Sequence, residues 1–173
     1  MNKKLYLGIY TVSFAIAIIG AALAAAIGIV DLDPGSTIAS AISTVAIVTL
    51  LQYLLVLTIY PFVLLAKMWG SIQDEWNEVT PIKAIVFLFI PFFNLYWIFR
   101  VWGGYATEYD NYVLRHDLSI APLAGTVFLF YPLFAILGGL FLFPTIILPF
   151  LLFPMIGKAC DAVNDLRTAN GIA

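Results

Sequence analysis

Ala84-Ile85-Val86-Phe87-Leu88-Phe89-Ile90-Pro91-Phe92-Phe93-Asn94-Leu95-Tyr96-Trp97-Ile98-Phe99 is the stretch whose reading decides the fold. It is apolar, uncharged and aromatic, and as straight helix its 16 residues reach roughly 24 Å, short of the ~30 Å hydrocarbon core of a bilayer. Pro91 removes a helical hydrogen bond near its middle, and Asn94 offers a side chain able to satisfy exposed backbone at a tight turn. Irregular backbone within a membrane is tolerated where protein or a cavity surrounds it, so a re-entrant segment here would be clasped by neighbouring spans. The alternative is a kinked helix lying in the interface, a depth that suits its aromatic residues. Both readings return the chain to the side from which it came.

That return sorts the charges. Four hydrophobic stretches, Leu5–Val30, Ile38–Ala66, Ile120–Gly138 and Phe141–Gly157, are long enough or nearly long enough to cross, and Ala84–Phe99 does not cross. All eight basic residues, Lys3, Lys4, Lys67, Lys83, Arg100, Arg115, Lys158 and Arg167, then face one side, the cytoplasm by the positive-inside rule, with both termini. Asp31 and Asp33 are left outside. Had Ala84–Phe99 crossed, Arg100, Arg115, Lys158 and Arg167 would lie outside and the bias would vanish. The fold class is thus an all-α integral membrane protein of two antiparallel hairpins, with an aromatic re-entrant or interfacial broken helix between them. Residues 1–173 read as a single membrane domain, with cytoplasmic helix extensions at 67–78, 100–116 and 158–168.

Composition agrees. At 63% hydrophobic and 10% charged residues, with mean hydropathy +1.03, the chain carries too much apolar surface for a soluble domain of its length. The apolar run after Met1–Lys4 is long for a secretory signal despite its Ala22-Leu23-Ala24, and reads as a retained first span. A net charge of −2 offers no polybasic patch for nucleic acid. Cys160 is the only cysteine, which excludes an internal disulfide and a cysteine-based metal site, and it reads as an unmodified thiol.

The first span carries small residues at four-residue spacing, Gly20, Ala24 and Gly28, with a second row at Ala17, Ala21 and Ala25; such rows admit a neighbouring helix closely. A short turn, Asp31–Thr37, with Ser36 or Thr37 as N-cap, makes spans one and two a hairpin. The second span holds Ser40, Ser43, Thr44, Thr49, Gln52 and Thr58, and Gln52, near mid-membrane, is expected to face protein or a cavity. Gly138-Gly139 marks the turn of the second hairpin.

One pattern recurs three times. A glycine is followed four residues on by a carboxylate and three further by asparagine: Gly70, Asp74, Asn77; Gly104, Glu108, Asn111; Gly157, Asp161, Asn164. On helices, carboxylate and amide at i, i+3 share a face. The glycines would let three helices converge and gather six polar side chains at the cytoplasmic surface, a cluster for a cation, a headgroup or a partner segment; wet helix ends use the same residues without binding anything.

Lys67-Met68-Trp69, Ile72-Gln73-Asp74, Thr80-Pro81-Ile82-Lys83-Ala84, Phe87 to Phe99, Trp102-Gly103, Tyr109-Asp110-Asn111 and Arg115-His116 together resemble a signature of a group of uncharacterised bacterial multi-pass membrane proteins. Gly157 to Asn164 is similar as well. The resemblance implies a bacterial inner-membrane setting and transfers no activity.

No zincin motif, nucleotide-binding glycine loop, paired-cysteine site or nucleophile elbow is present, and His116, flanked by Arg115 and Asp117, reads as a capping or solvated residue. The reading is therefore a non-catalytic membrane subunit or scaffold, without cofactor or metal, whose partners are lipids and other integral membrane proteins or copies of itself. An oligomeric channel, transporter or lipid-handling protein using the broken segment is the alternative. A lipid-modifying enzyme built on the carboxylates is more distant.

Overall fold

The structure, a computed structural model, describes residues 1–29, 36–140 and 142–171, and within these the side chains of all but 27–29, 138–140 and 142–146. All regular structure among the described residues is helical: α1 (Lys3–Ile29), α2 (Thr37–Ser71), α3 (Pro81–Val86), a 3₁₀ turn (Phe87–Phe89), α4 (Phe93–Arg115), α5 (Thr126–Leu140) and α6 (Leu142–Ala169). Within the described residues, three stretches are long and apolar enough to cross a membrane, Lys3–Ala26, Thr37–Ser71 and Ile147–Ala169. The Asp31–Gly35 turn and the packing at Gly28 lie outside the described residues.

The chain divides into two compact units, Lys4–Tyr60 and Met1–Lys3 with Pro61–Ala173. The boundary falls inside α2 at Pro61, which cannot donate to the preceding turn.

In the Lys4–Tyr60 unit, Ser36 begins α2 as anticipated, its Oγ accepting from Ala39 N–H at 3.1 Å. Gly20 faces Thr49 so closely that a Cβ built on it would stand 2.9 Å from Thr49 Cβ. Tyr60 donates its hydroxyl to the Tyr6 carbonyl at 2.5 Å, and Phe14 meets Tyr53 at a centroid distance of 5.9 Å. The hydroxyls of Ser43, Thr44, Thr49 and Thr58 turn back onto carbonyls of α2 itself, at 2.8–2.9 Å.

The second unit is assembled around α4. Trp69 and Tyr105 meet edge to face, Trp102 packs on Tyr131, and Tyr105 on Phe128. A Cβ on Gly103 would lie 2.7 Å from Leu129 Cδ2, and one on Gly125 2.7 Å from Ala106 Cβ, so α4 and the start of α5 approach through small residues. Positions 102, 103, 105 and 106 of α4 thus meet 131, 129, 128 and 125, an antiparallel register.

Three boundaries differ from those expected. Helix α5 begins at Thr126, six residues late, because the Asp110 carboxylate takes the Leu123 N–H at 2.8 Å and holds the preceding segment non-helical. Gly138 and Gly139 belong to α5 rather than to the turn. Helix α2 ends at Ser71, not near 78: Gln73 Nε2 donates to Trp69 O (2.8 Å) and Val79 O (3.0 Å), folding Ile72–Thr80 into a loop. Thr80 then caps α3, accepting from Lys83 N–H at 3.2 Å with Pro81 at the first helical position.

Candidate functional site

The three glycine–carboxylate–asparagine copies are held by three different partners. Asp74 lies in the loop after α2, where its Oδ1 accepts from Trp76 N–H at 3.1 Å in a turn closed by its own side chain. Its Oδ2 accepts from Arg115 Nε at 2.9 Å and lies 2.7 Å from Arg115 Nη2 in an ion pair, with His116 Nε2 3.5 Å away. Burial of this carboxyl opposes its charge, but the Arg115 and Trp76 hydrogen bonds, the Arg115 charge and His116 outweigh it and hold the group below its ordinary value. Asn77 donates to Ile72 O at 2.8 Å. This copy is therefore not on a helix face, because side-chain bonds to backbone displaced the helix.

The other two copies are helical. On α4, Arg100 Nη2 donates to Glu108 Oε1 at 3.1 Å, spanning two turns. Gly104 makes the path: a Cβ there would meet Arg100 Nη1 at 2.8 Å. Asn111 is exposed. On α6, Lys3 Nζ donates to both oxygens of Asp161, at 2.9 and 2.6 Å, passing Gly157, whose Cβ would meet Lys3 Cε at 3.8 Å. Asn164 uses both ends of its amide on Met1, donating to its carbonyl at 2.9 Å and accepting from its amino group.

The expected convergence is corrected accordingly. Gly70 meets only the ring of Pro81, at 3.7 Å, and Gly104 and Gly157 make room for cations rather than for helix backbones. No group of three or more His, Cys, Asp or Glu side chains able to hold a metal occurs among the described residues. Chemically, each copy neutralises one carboxylate against one cation, and the first and third also tie elements far apart in sequence. Among the described glycines, Gly20, Gly103 and Gly125 are the ones that lie close against a residue of another segment.

His116 closes α4, donating its backbone N–H to Tyr112 O at 3.1 Å, with its ring on Tyr112 at 4.3 Å. Tyr109 is buried, which, with the charges of Asp165 and Asp110, pushes its phenol up to about 12. Asp117, Ser119, Asp165 and Thr168 line an open groove of about 650 Å³ beside α6.

Gln52 donates from Nε2 to Ser13 Oγ at 3.1 Å, and its buried Oε1 has no partner among the described residues.

The broken segment departs from the clasped arrangement. Of residues 84–99, Ala84 and Trp97 are buried, whereas Phe89, Phe92, Leu95 and Tyr96 are exposed. The chain does break at Pro91, but the unusual backbone falls on Phe92, at φ 62°, and not on Asn94, which donates its backbone N–H to Ile90 O at 3.0 Å within the first turn of α4. Behind the break, Phe87 and Phe93 pack on Trp97 at 5.0 and 5.4 Å, and Trp97 Nε1 donates to Ala84 O at 3.3 Å.

The chain matches no protein-family model, no curated protein and no solved structure.

Proposed function

We propose that this protein is a non-catalytic subunit of a bacterial inner membrane, with four spans in two hairpins (α1–α2 and α5–α6), that works by packing beside other integral membrane proteins. The observation that carries the reading is how little of the first hairpin the chain itself covers. Only 6% of the most apolar stretch of α2 and 17% of that of α1 is buried, against 44% for α6. Gly20 is used up on Thr49, yet Ala21 and Ala25 of the second small-residue row remain exposed, a surface onto which another helix can settle.

Two contacts support placing both termini and all the cations on the cytoplasmic side. Lys3 at the start of α1 pairs with Asp161 near the end of α6. Arg115, which ends α4, pairs with Asp74, just beyond α2. A crossing by Ala84–Phe99 would put a bilayer between Arg115 and Asp74. Helix α5, with 15 residues, is about 22 Å long, so the second hairpin crosses where the bilayer is locally thin.

The conduction reading gains nothing from Ser43, Thr44 and Thr58 of α2, whose hydroxyls are spent on the helix's own carbonyls. Native mass spectrometry of gently extracted material tests the proposal: a stoichiometric foreign membrane subunit is expected, lost in an Ala21→Leu, Ala25→Leu variant that still folds. A monomer or self-oligomer carrying only lipid would overturn it.

A further inference from the structure

The turn between the 3₁₀ segment and α4 has a form that calls for a reason. Phe93 N–H donates to Pro91 O at 2.7 Å, closing a three-residue γ-turn centred on Phe92 at φ 62°, ψ −39°. This is the strained, positive-φ form of that turn, rare for any residue with a side chain and rarer for a bulky one. Phe92 gains no packing in exchange, since it is 88% exposed. The ring cage of Phe87, Phe93 and Trp97 behind it holds the turn shut and points Phe92 outward.

The topology proposed above sets the level at which this tip sits. Phe89, three residues before Phe92, stacks on Phe62 of α2 at a centroid distance of 5.5 Å. Lys67 is the last cation on α2, exposed at the membrane edge in the topology above, and Phe62 lies five residues deeper, about 7.5 Å of helix. The bilayer midplane would be about 15 Å down. The stacked pair thus lies at the depth of roughly 5–10 Å reached by elements seated between headgroups and acyl chains.

We propose that the Pro91–Phe93 turn is a lipid anchor, with Phe92 seated at the headgroup–acyl boundary of the leaflet that Lys67 faces. Its occupant is lipid rather than a partner chain, because the tip adjoins Phe89, which stacks on Phe62 of α2, is aromatic as interfacial residues are, and lies at the interfacial level of that topology. The proposal rests on the membrane topology above.

Depth-dependent quenching tests it. In a background with the buried Cys160→Ala, Phe92→Cys is labelled with an environment-sensitive fluorophore and reconstituted in phosphatidylcholine–phosphatidylglycerol vesicles. Nitroxide lipids labelled at the headgroup, a shallow or a deep acyl carbon quench from the membrane, and iodide quenches from water. Tyr96→Cys, one turn on and also exposed, serves as a second site, and Leu55→Cys on α2 as a mid-membrane reference. Shallow acyl nitroxides are expected to quench the Phe92 label at least twofold more than deep ones, with iodide nearly without effect. Quenching by iodide, by deep nitroxides or by neither, while the Leu55 label reports the bilayer interior, overturns the anchor alone. If the Leu55 label also responds to iodide and not to lipid, the topology fails with it.

Discussion

The indole Nε1 of Trp69 donates to the carbonyl of Val101 at 3.0 Å, and both residues are completely buried. This bond ties the last turn of α2 to the third turn of α4, which has no covalent neighbour there. Trp69→Phe keeps most of the packing and leaves the carbonyl without its side-chain donor, at a cost of about 1–3 kcal/mol. Thermal unfolding in detergent should show the loss, and proteolysis in the loop after Arg115 should quicken. An unchanged melting temperature would deny the bond its role.

The contact between Gly125 and Ala106 cannot yield, because both atoms are fixed to backbone. Gly125→Ala places a methyl 2.7 Å from Ala106 Cβ and should destabilise by about 1–3 kcal/mol. Adding Ala106→Gly should restore much of that, a coupling measurable as a double-mutant cycle. Gly103→Ala is expected to be milder, since it meets the end of the half-exposed Leu129 side chain.

Within the Lys4–Tyr60 unit, Gly20→Ala and Gly8→Ala make a matched pair. A methyl at Gly20 collides with Thr49, and one at Gly8 meets nothing within 4 Å. Denaturant or thermal melts should separate the two variants by about 1–3 kcal/mol, with the Gly8 variant close to wild type. Equal behaviour would mean that α1 and α2 do not touch at Gly20.

The ion pair at Asp74 predicts a pH dependence with a definite sign. Its folded carboxyl titrates below the unfolded value, so its contribution is complete above the ordinary carboxylate range, near about 4, and is lost as pH falls through that range and below. Asp74→Asn should melt lower than wild type at neutral pH, and the gap should close on acidification. A gap that persists unchanged at pH 3 would assign the effect to packing.

Phe92→Gly removes the penalty of a positive φ on a bulky residue and should stabilise the detergent-solubilised protein by about 1 kcal/mol or more. Melting temperatures compare the two directly; a less stable variant would show that the ring contributes packing that its exposure hides.

The helical class was legible from hydropathy, as were the Ser36 cap, the break at Pro91 and the packing at Gly20, because each is written in residues adjacent in sequence. The pairings were not. Lys3 and Asp161 are 158 positions apart, and nothing local selects Arg115 over the nearer Lys67 as partner of Asp74. Spacing alone placed Asp74 and Asn77 on a helix, whereas side-chain bonds from Gln73 and Asn77 to carbonyls ended it. The turn at Pro91 was visible, but its strained residue was not, since Asn94 is the residue type that tolerates such geometry and Phe92 is not.

The hydroxyls of Ser43, Thr44, Thr49 and Thr58 fold onto carbonyls of α2 itself, so residue type misstates what this helix displays. A sliding hydropathy window charges each serine and threonine for an O–H that the surroundings never meet. The membrane-insertion machinery, which partitions surfaces rather than letters, would handle α2 as nearly unbroken hydrocarbon, and its transfer into the bilayer should be more favourable than any per-residue scale assigns.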